Sequence, residues 1–458
     1  MKTIYGRFRV GGAGYSPGVP LLALFLGVCL LGGGASRADV ESQLAVRAAG
    51  LILLGVALFL PKLDLRAIRA PLCFMAALAL LILIQLMPLP PALWTMLPGR
   101  GFFVDAAGAA GVAQPWRPLN LTPDLGWNSL LALVPPTAAL IGAAALTRDE
   151  RLGLLPVLIG LALFSALWGI AQISAGPNSP LYTYEITNRA LPVGMFANRN
   201  HQAALLAMTL PMLALWGRLR ASGWRYGIAV TLGIMLLPLI LVTGSRAGLG
   251  LALLGLLFGY LLLYAPSRSG RTAVRRAFDA RSRVAALLPV LLAALVVALT
   301  IMLARAAALQ RLLDVKLGGD TRLELFRPLL RIAIDYMPFG SGFGSFNAIY
   351  RHHEAFDALS FTYLNHAHND LLELAIEAGL PGVLLAAGFV AWWARRSFLV
   401  WRARANGSRA VLFGRLGSAM ILILLLASLP DYPLRTPMLG VIFAVACVWL
   451  ADYSAKRA

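Results

Sequence analysis

Uninterrupted apolar stretches of about 17 to 25 residues recur along nearly the whole chain, and a helix needs roughly 20 such residues to cross the hydrocarbon layer of a bilayer. In that layer every backbone N–H and C=O must find its partner inside the protein, which leaves helices or closed barrels. Continuous apolar runs, as opposed to alternating ones, select helices. Twelve runs qualify: 18–35, 43–60, 71–88, 126–146, 152–173, 200–216, 226–243, 247–264, 284–304, 380–394, 411–429 and 436–451. The sixth, which holds His201 and Pro211, is the weakest. With 59% hydrophobic and 13% charged residues over 458 positions, the composition excludes a water-soluble enzyme. The expected fold class is an all-α integral membrane protein of about twelve transmembrane helices with one large helical loop on the outer side.

Lys and Arg collect on the cytoplasmic side of such proteins. Counted from an inside N-terminus, the whole formal excess of +20 falls on that side and the outer side is neutral. The basic residues are dispersed between spans and form no continuous stripe, so the charge reads as topology, with no nucleic-acid partner. The Arg-rich stretch 268–283 is read the same way. Cys29, Cys73 and Cys447 all fall inside expected spans without paired spacing, which argues for packing and against a disulfide frame or a zinc site. Met1 to Ala35 imitates a signal peptide, but in a chain of this kind it is expected to stay as the first span.

No tandem repeat or low-complexity linker divides the chain. The expected organisation is spans one to nine over 1–304, a large outer loop over 305–379, and spans ten to twelve over 380–458. Within the loop, Thr321-Arg-Leu-Glu324 has the form of a capping box. Leu323, Phe326, Leu330 and Ile334 follow at helical spacing with Arg327 and Arg331 on another side, which predicts an amphipathic helix bent at Pro328. Pro338 to Phe346 reads as a Gly-rich turn packing its Phe residues at the membrane surface. A phosphate cradle is the alternative, although the Lys-Ser/Thr ending of a nucleotide loop is missing.

The densest chemistry lies at His366-Ala-His368-Asn369-Asp370, followed by Glu373 and Glu377. Ionisable groups are costly next to hydrocarbon, so two imidazoles, an amide and three carboxylates at the mouth of a span mark a functional site. Asp370-Leu-Leu-Glu373 predicts a helix start with Asp370 as cap, ending at Gly379-Leu-Pro381. His368 then stands just ahead of a helix N-terminus, whose positive end favours an anion and a neutral imidazole able to accept a proton. Glu373 and Glu377 are read as a cap acid and a helix-surface acid ahead of their reading as bases, and His352 and His353 as solvated.

His368-Asn369, nine residues, Gly379, two residues, Gly382 resembles the signature of bacterial O-antigen ligases and the related O-antigen and exopolysaccharide polymerases. Gly194-Met-Phe-Ala-Asn198-Arg-Asn200-His201 and Thr243-Gly-Ser245-Arg246 support the resemblance, which spans roughly residues 190–385. It implies a GT-C-like membrane enzyme that moves an oligosaccharide from a polyprenyl diphosphate to an acceptor hydroxyl by an inverting, metal-independent route, with no cofactor. Two outer arginines and a histidine carry the activity in that superfamily. By position these are Arg246, Arg322 and His368, with Arg327 and Arg331 as alternatives to Arg322.

The implied substrate-binding residues are Asn198, Asn200, His201, Arg327, His366, Asn369 and Glu373; Arg189 and Arg199 are weaker phosphate candidates. The physical logic is that guanidiniums can stabilise the charge gathering on a departing diphosphate. The implied partners are the polyprenyl diphosphate-linked oligosaccharide, an acceptor glycan or lipid A core, membrane lipid and other envelope polysaccharide assembly proteins. The implied place is the bacterial inner membrane, with both termini cytoplasmic and the active site periplasmic. A lipid-linked glycan flippase, a protein O-oligosaccharyltransferase and a non-catalytic scaffold remain as alternatives. Polymerase is slightly favoured over ligase by the Asn-Arg-Asn-His stretch.

Overall fold

A computed structural model describes residues 18–60, 63–219, 223–264, 321–354, 356, 359, 364–403 and 408–453, and of 223, 264 and 321–324 the backbone alone. The expected ninth span, the 268–283 loop, the basic start and the first part of the outer loop lie outside these residues. The helices are α1 (Gly18–Gly32), α2 (Ser42–Leu58), α3 (Arg69–Leu86), α4 (Pro91–Trp94), α5 (Gly101–Ala109), α6 (Pro123–Leu131), α7 (Val134–Ala144), α8 (Arg148–Leu152) and α9 (Leu154–Ala175). There follow α10 (Arg199–Arg218), α11 (Gly223–Val242), α12 (Arg246–Tyr264), α13 (Thr321–Asp335), α14 (Phe346–His353), α15 (Asp370–Arg402), α16 (Arg409–Ala427) and α17 (Pro437–Ala451). One antiparallel pair, Pro88–Leu89 with Arg117–Pro118, closes the loop that carries α4 and α5.

Among the described residues, seven helical stretches are long and apolar enough to cross a membrane: Arg69–Leu86, Pro123–Ala144, Arg148–Ala175, Trp224–Val242, Arg246–Leu263, Asp370–Arg402 and Arg409–Ala427. The chain is an all-α integral membrane protein. Helices α1, α2 and α17 are apolar but shorter, so a count of twelve does not follow from length and apolarity. Helix α10 falls outside both groups for a structural reason. Every residue from His201 to Leu213 is buried, because α9, α11, α12 and α16 surround it. A helix shielded from lipid needs no apolar outer face, and this one carries Gln202 and Thr209 inside the bundle. It lies close against α12 through small residues; a Cβ on Gly255 would stand 2.4 Å from the Ala207 carbonyl oxygen.

At one end of the bundle arginines close helix C-termini. Arg151 donates to the carbonyls of Ala143 and Ala144 and pairs with Asp452. Arg396 reaches Leu450 and Ala451, and Arg415 reaches Val400 and Ala403. These are the last carbonyls of α7, α17 and α15, which lack partners within their own helices. This is the end expected to face the cytoplasm.

A smaller layer sits on the opposite end. Leu329, Ile332, Ala333 and Tyr336 of α13 pack against Phe346, Ile349 and Tyr350 of α14 and Leu372 and Ile376 of α15. The amphipathic helix is therefore present, and its packed stripe is the neighbouring one. Phe326, Leu330 and Ile334 are exposed, because α13 carries two adjacent apolar stripes and spacing alone does not say which meets the protein. The side chains of Thr321 and Glu324, the expected capping box, are outside the described residues.

The turn 338–346 joins this layer to the bundle. Gln85 of α3 donates to the Phe339 and Glu377 carbonyls and accepts from the Phe343 N–H. Arg100 donates to Leu119 and Gly340 carbonyls, and burial lowers its pKa to about 10. Phe343 and Phe346 are buried and Phe339 is exposed, so most of the turn packs into protein. Its amides do surround an anion, as a cradle would, but the anion is internal: Glu377 Oε1 accepts from the Gly344 and Phe346 N–H groups.

Candidate active site

Several helix ends meet at this outer layer: the C-terminus of α1, the N-termini of α10 and α15, and the 428–436 segment between α16 and α17. Each start has a local cause. Asn198 caps α10, its Oδ1 accepting from the Asn200 N–H at 2.9 Å. Asn369 caps α15, accepting from the Leu372 N–H at 2.9 Å, so the cap is Asn369 and not the expected Asp370. Asx caps satisfy amides that the first turn leaves open. Helix α15 bends at Gly379 (φ 60°, ψ −151°), where the short first segment was expected to end, and then continues as the span. A Cβ there would stand 2.2 Å from the Pro338 carbonyl oxygen, so the first glycine of the signature is sterically required.

Asp431 is the centre of one polar network. The Asn198 amide donates to it at 3.1 Å, and the Asn200 amide also donates to it. The Tyr432 N–H does so at 3.0 Å. The two asparagines expected at a substrate thus direct their donors to a carboxylate. That carboxylate stands 3.4 Å from His368 Nδ1 and 3.9 Å from His201 Nε2. His201 is buried in the first turn of α10, edge-on to the Tyr432 ring. His368 itself adopts φ 50°, a left-handed conformation uncommon outside glycine, directly before the Asn369 cap.

A second network lies beside the first. Arg435 contacts Asp370 at 3.4 Å, Glu373 at 3.1 Å and Glu377 at 3.1 Å. Glu373 also accepts from the Ala367 N–H at 2.8 Å and from His366 Nδ1 at 2.8 Å. The other ring nitrogen of His366 shares a hydrogen bond with the Ser36 hydroxyl at 3.0 Å. Glu373 and Glu377, read from sequence as cap and surface acids, are both buried; their partners come from a segment the helix itself does not contain. Burial works to loosen the Arg435 proton, but Glu373, Glu377 and Asp370 outweigh it and raise its pKa above the ordinary guanidinium value.

A cavity of about 830 Å³ opens at this second network and runs between α3, α7, α15, α16 and α17. Its head carries Ser36, His366, Glu373 and Arg435, and its length is lined by residues such as Phe74, Leu78, Leu385 and Phe389. His368 and Asp431 lie outside its lining. The Tyr432 ring joins the two networks, with its centroid 4.3 Å from that of His366 and 5.0 Å from that of His368.

Of the arginines expected to hold phosphate, Arg246 begins α12 and is exposed at the same end of the bundle. There a Cβ on the adjoining Gly244 would stand 3.2 Å from Arg199 Nη1. Arg322 lies in the first turn of α13, its side chain outside the described residues; Arg327 and Arg331 are exposed farther along. His352 and His353 are also exposed, in the last turn of α14. Among the described residues no group of three or more His, Cys, Asp or Glu is arranged to hold a metal ion.

Sequence reading missed Asp431, Tyr432 and Arg435. The signal was present: Ser428-Leu-Pro-Asp431-Tyr-Pro-Leu-Arg435-Thr sets an acid and a base into a seam between two strongly apolar runs on the expected outer side. A short connection had given no reason to look there.

No curated protein matches the chain. Residues 232–387, about a third of the chain, match the family model described as O-antigen ligase. The match takes in Arg246, Arg322, His366, His368 and Glu373, and it stops short of Asp431 and Arg435. Over residues 232–387 the chain is thus similar to the O-antigen ligase family, which supports the resemblance to O-antigen ligases and polymerases.

Proposed function

We propose that this chain is a glycosyltransferase of the bacterial inner membrane that moves an oligosaccharide from a polyprenyl diphosphate to an acceptor hydroxyl on the periplasmic side. The observation that carries the reading is the His368–Asp431 contact at 3.4 Å, at an end of the bundle where an apolar cavity opens alongside. His368 Nδ1 faces the carboxylate, so Nε2 is left to the substrate. It takes the acceptor proton as the acceptor oxygen attacks the anomeric carbon. The bond from that carbon to the diphosphate breaks, its electron pair leaves with the phosphate oxygen, and a single displacement inverts the centre. Asp431 stabilises the imidazolium that forms, as a carboxylate beside a general base does.

Charge on the leaving diphosphate is assigned to Arg246 and Arg322, since guanidiniums can hold phosphate oxygens in bidentate fashion. The O-antigen ligase domain supports glycosyl transfer over passage of the lipid across the membrane. The test is to incubate detergent-purified protein with extracted polyprenyl-diphosphate oligosaccharide and lipid-anchored acceptor. The expected product is the oligosaccharide covalently joined to the acceptor with inverted anomeric configuration. Donor recovered intact, or moved across vesicles without bond cleavage, would sink the proposal. Analysis of what carries the missing glycan in a deletion strain separates polymerase, ligase and protein glycosylation.

A further inference from the structure

Three histidines, His201, His366 and His368, approach the Tyr432 ring, and His366 alone of them lines the cavity. His366 Nδ1 donates to Glu373, and its Nε2 is hydrogen-bonded to the hydroxyl of Ser36. A protein hydroxyl therefore sits at the cavity head in the position a sugar hydroxyl would take. We infer that His366 binds a hydroxyl of the acceptor sugar, in place of Ser36, and that Arg435 is a positioning residue acting on it through Glu373. This rests on the glycosyl-transfer reading above and assigns the cavity head to one of its two substrates.

Five observations converge on it. The ring is fixed before any ligand arrives: Glu373 is held by Arg435 at 3.1 Å and by the Ala367 N–H at 2.8 Å, so the imidazole bonded to it has little freedom left. The charge favours the acceptor over the donor's diphosphate, because Asp39, Asp370, Glu373 and Glu377 line the cavity with Arg37, Arg351 and Arg435; Arg37 pairs with Asp39 and Arg435 with the other three carboxylates, so the lining keeps no excess of positive charge to hold an anion. Asn347 and Asn365, two neutral amides suited to sugar hydroxyls, also line the cavity. The imidazoles of His366 and His368 pack on one aromatic ring, so a sugar held at His366 presents a neighbouring hydroxyl towards His368. The apolar length of the cavity gives the hydrocarbon anchor of that acceptor a place within the span.

The test titrates the two substrates separately, with extracted polyprenyl-diphosphate oligosaccharide as donor and lipid-anchored glycan from deletion-strain membranes as acceptor. His366→Ala should raise the acceptor KM about ten-fold, the loss of one well-held hydrogen bond, with donor KM little changed. Arg435→Gln should shift acceptor KM in the same direction, and Arg435→Lys should restore part of it. Ser36→Ala should leave acceptor KM unchanged or lower, since its hydroxyl only stands in for the substrate's. An unchanged acceptor KM in His366→Ala, or an equal rise for donor and acceptor, would overturn the assignment. Should Arg435→Gln fail to fold, His366→Ala and Arg435→Lys decide the matter. Absence of transfer by the unaltered protein would remove the glycosyl-transfer reading, a result distinct from failure of the His366 assignment.

Discussion

His368 and Glu377 show how far one residue's surroundings set its part. In His368 a left-handed backbone sets the ring 3.4 Å from Asp431, the pair to which the proposed reaction assigns the acceptor proton. His368→Ala should lower kcat by about 10²- to 10⁴-fold, and Asp431→Asn by about a hundred-fold with donor binding retained, the range expected for a general base and the group that steadies it. Single-turnover transfer measures both, and near-normal turnover in either variant would remove that residue from the reaction. Glu377 has a structural task. Its carboxylate accepts from two amides of the 338–346 turn and from Arg435 at 3.1 Å. Glu377→Ala should cost about 3 to 5 kcal/mol by leaving those groups buried without an anion. Thermal unfolding in detergent reads this, and an unshifted midpoint would show that the turn does not depend on the carboxylate.

At the scale of elements, the spacing of the signature describes a helix with a bend in it. Gly379 allows α15 to turn where the outer layer meets the span, and a side chain there would overlap the Pro338 carbonyl. Gly379→Ala should destabilise by about 1 to 3 kcal/mol or more; a variant as stable as the parent would mean the bend has another cause. Helix α13 gives a second check, because its two apolar stripes are distinct. Ile332→Ala, on the buried stripe, should cost about 2 to 5 kcal/mol. Leu330→Ala, on the exposed stripe, should stay within about 0.5 kcal/mol. Equal losses would show that both stripes are packed. Periodicity announced this helix without fixing its inward side, since a period of three to four residues is satisfied equally by either stripe.

On the scale of the whole molecule, one end gathers arginines on helix carbonyls and the other gathers the histidines and carboxylates. The proposed orientation puts the first in the cytoplasm and the second in the periplasm. In a background freed of Cys29, Cys73 and Cys447, a thiol reagent that does not cross membranes should label Asn365→Cys from outside intact spheroplasts, and Arg148→Cys only after permeabilisation. Labelling of both from one side would refute the arrangement. The same scale explains why the sixth span looked weak in sequence. Its polar residues are tolerated because other helices, and not lipid, surround α10.

What the chain's sequence determined alone were quantities that are local along it. The length of an apolar run decides whether a helix can span a bilayer, and the His-Asn and Gly-x-x-Gly spacing follows from a cap, a short helical segment and a bend. The imbalance of Arg and Lys between alternate loops was legible for the same reason. The tertiary structure alone decided which charges meet. Asn198 finds Asp431 across 233 positions and Glu377 finds Arg435 across 58, and no periodicity connects them. A buried charge must be paired wherever the fold brings a partner, and that choice belongs to the packing of helix ends.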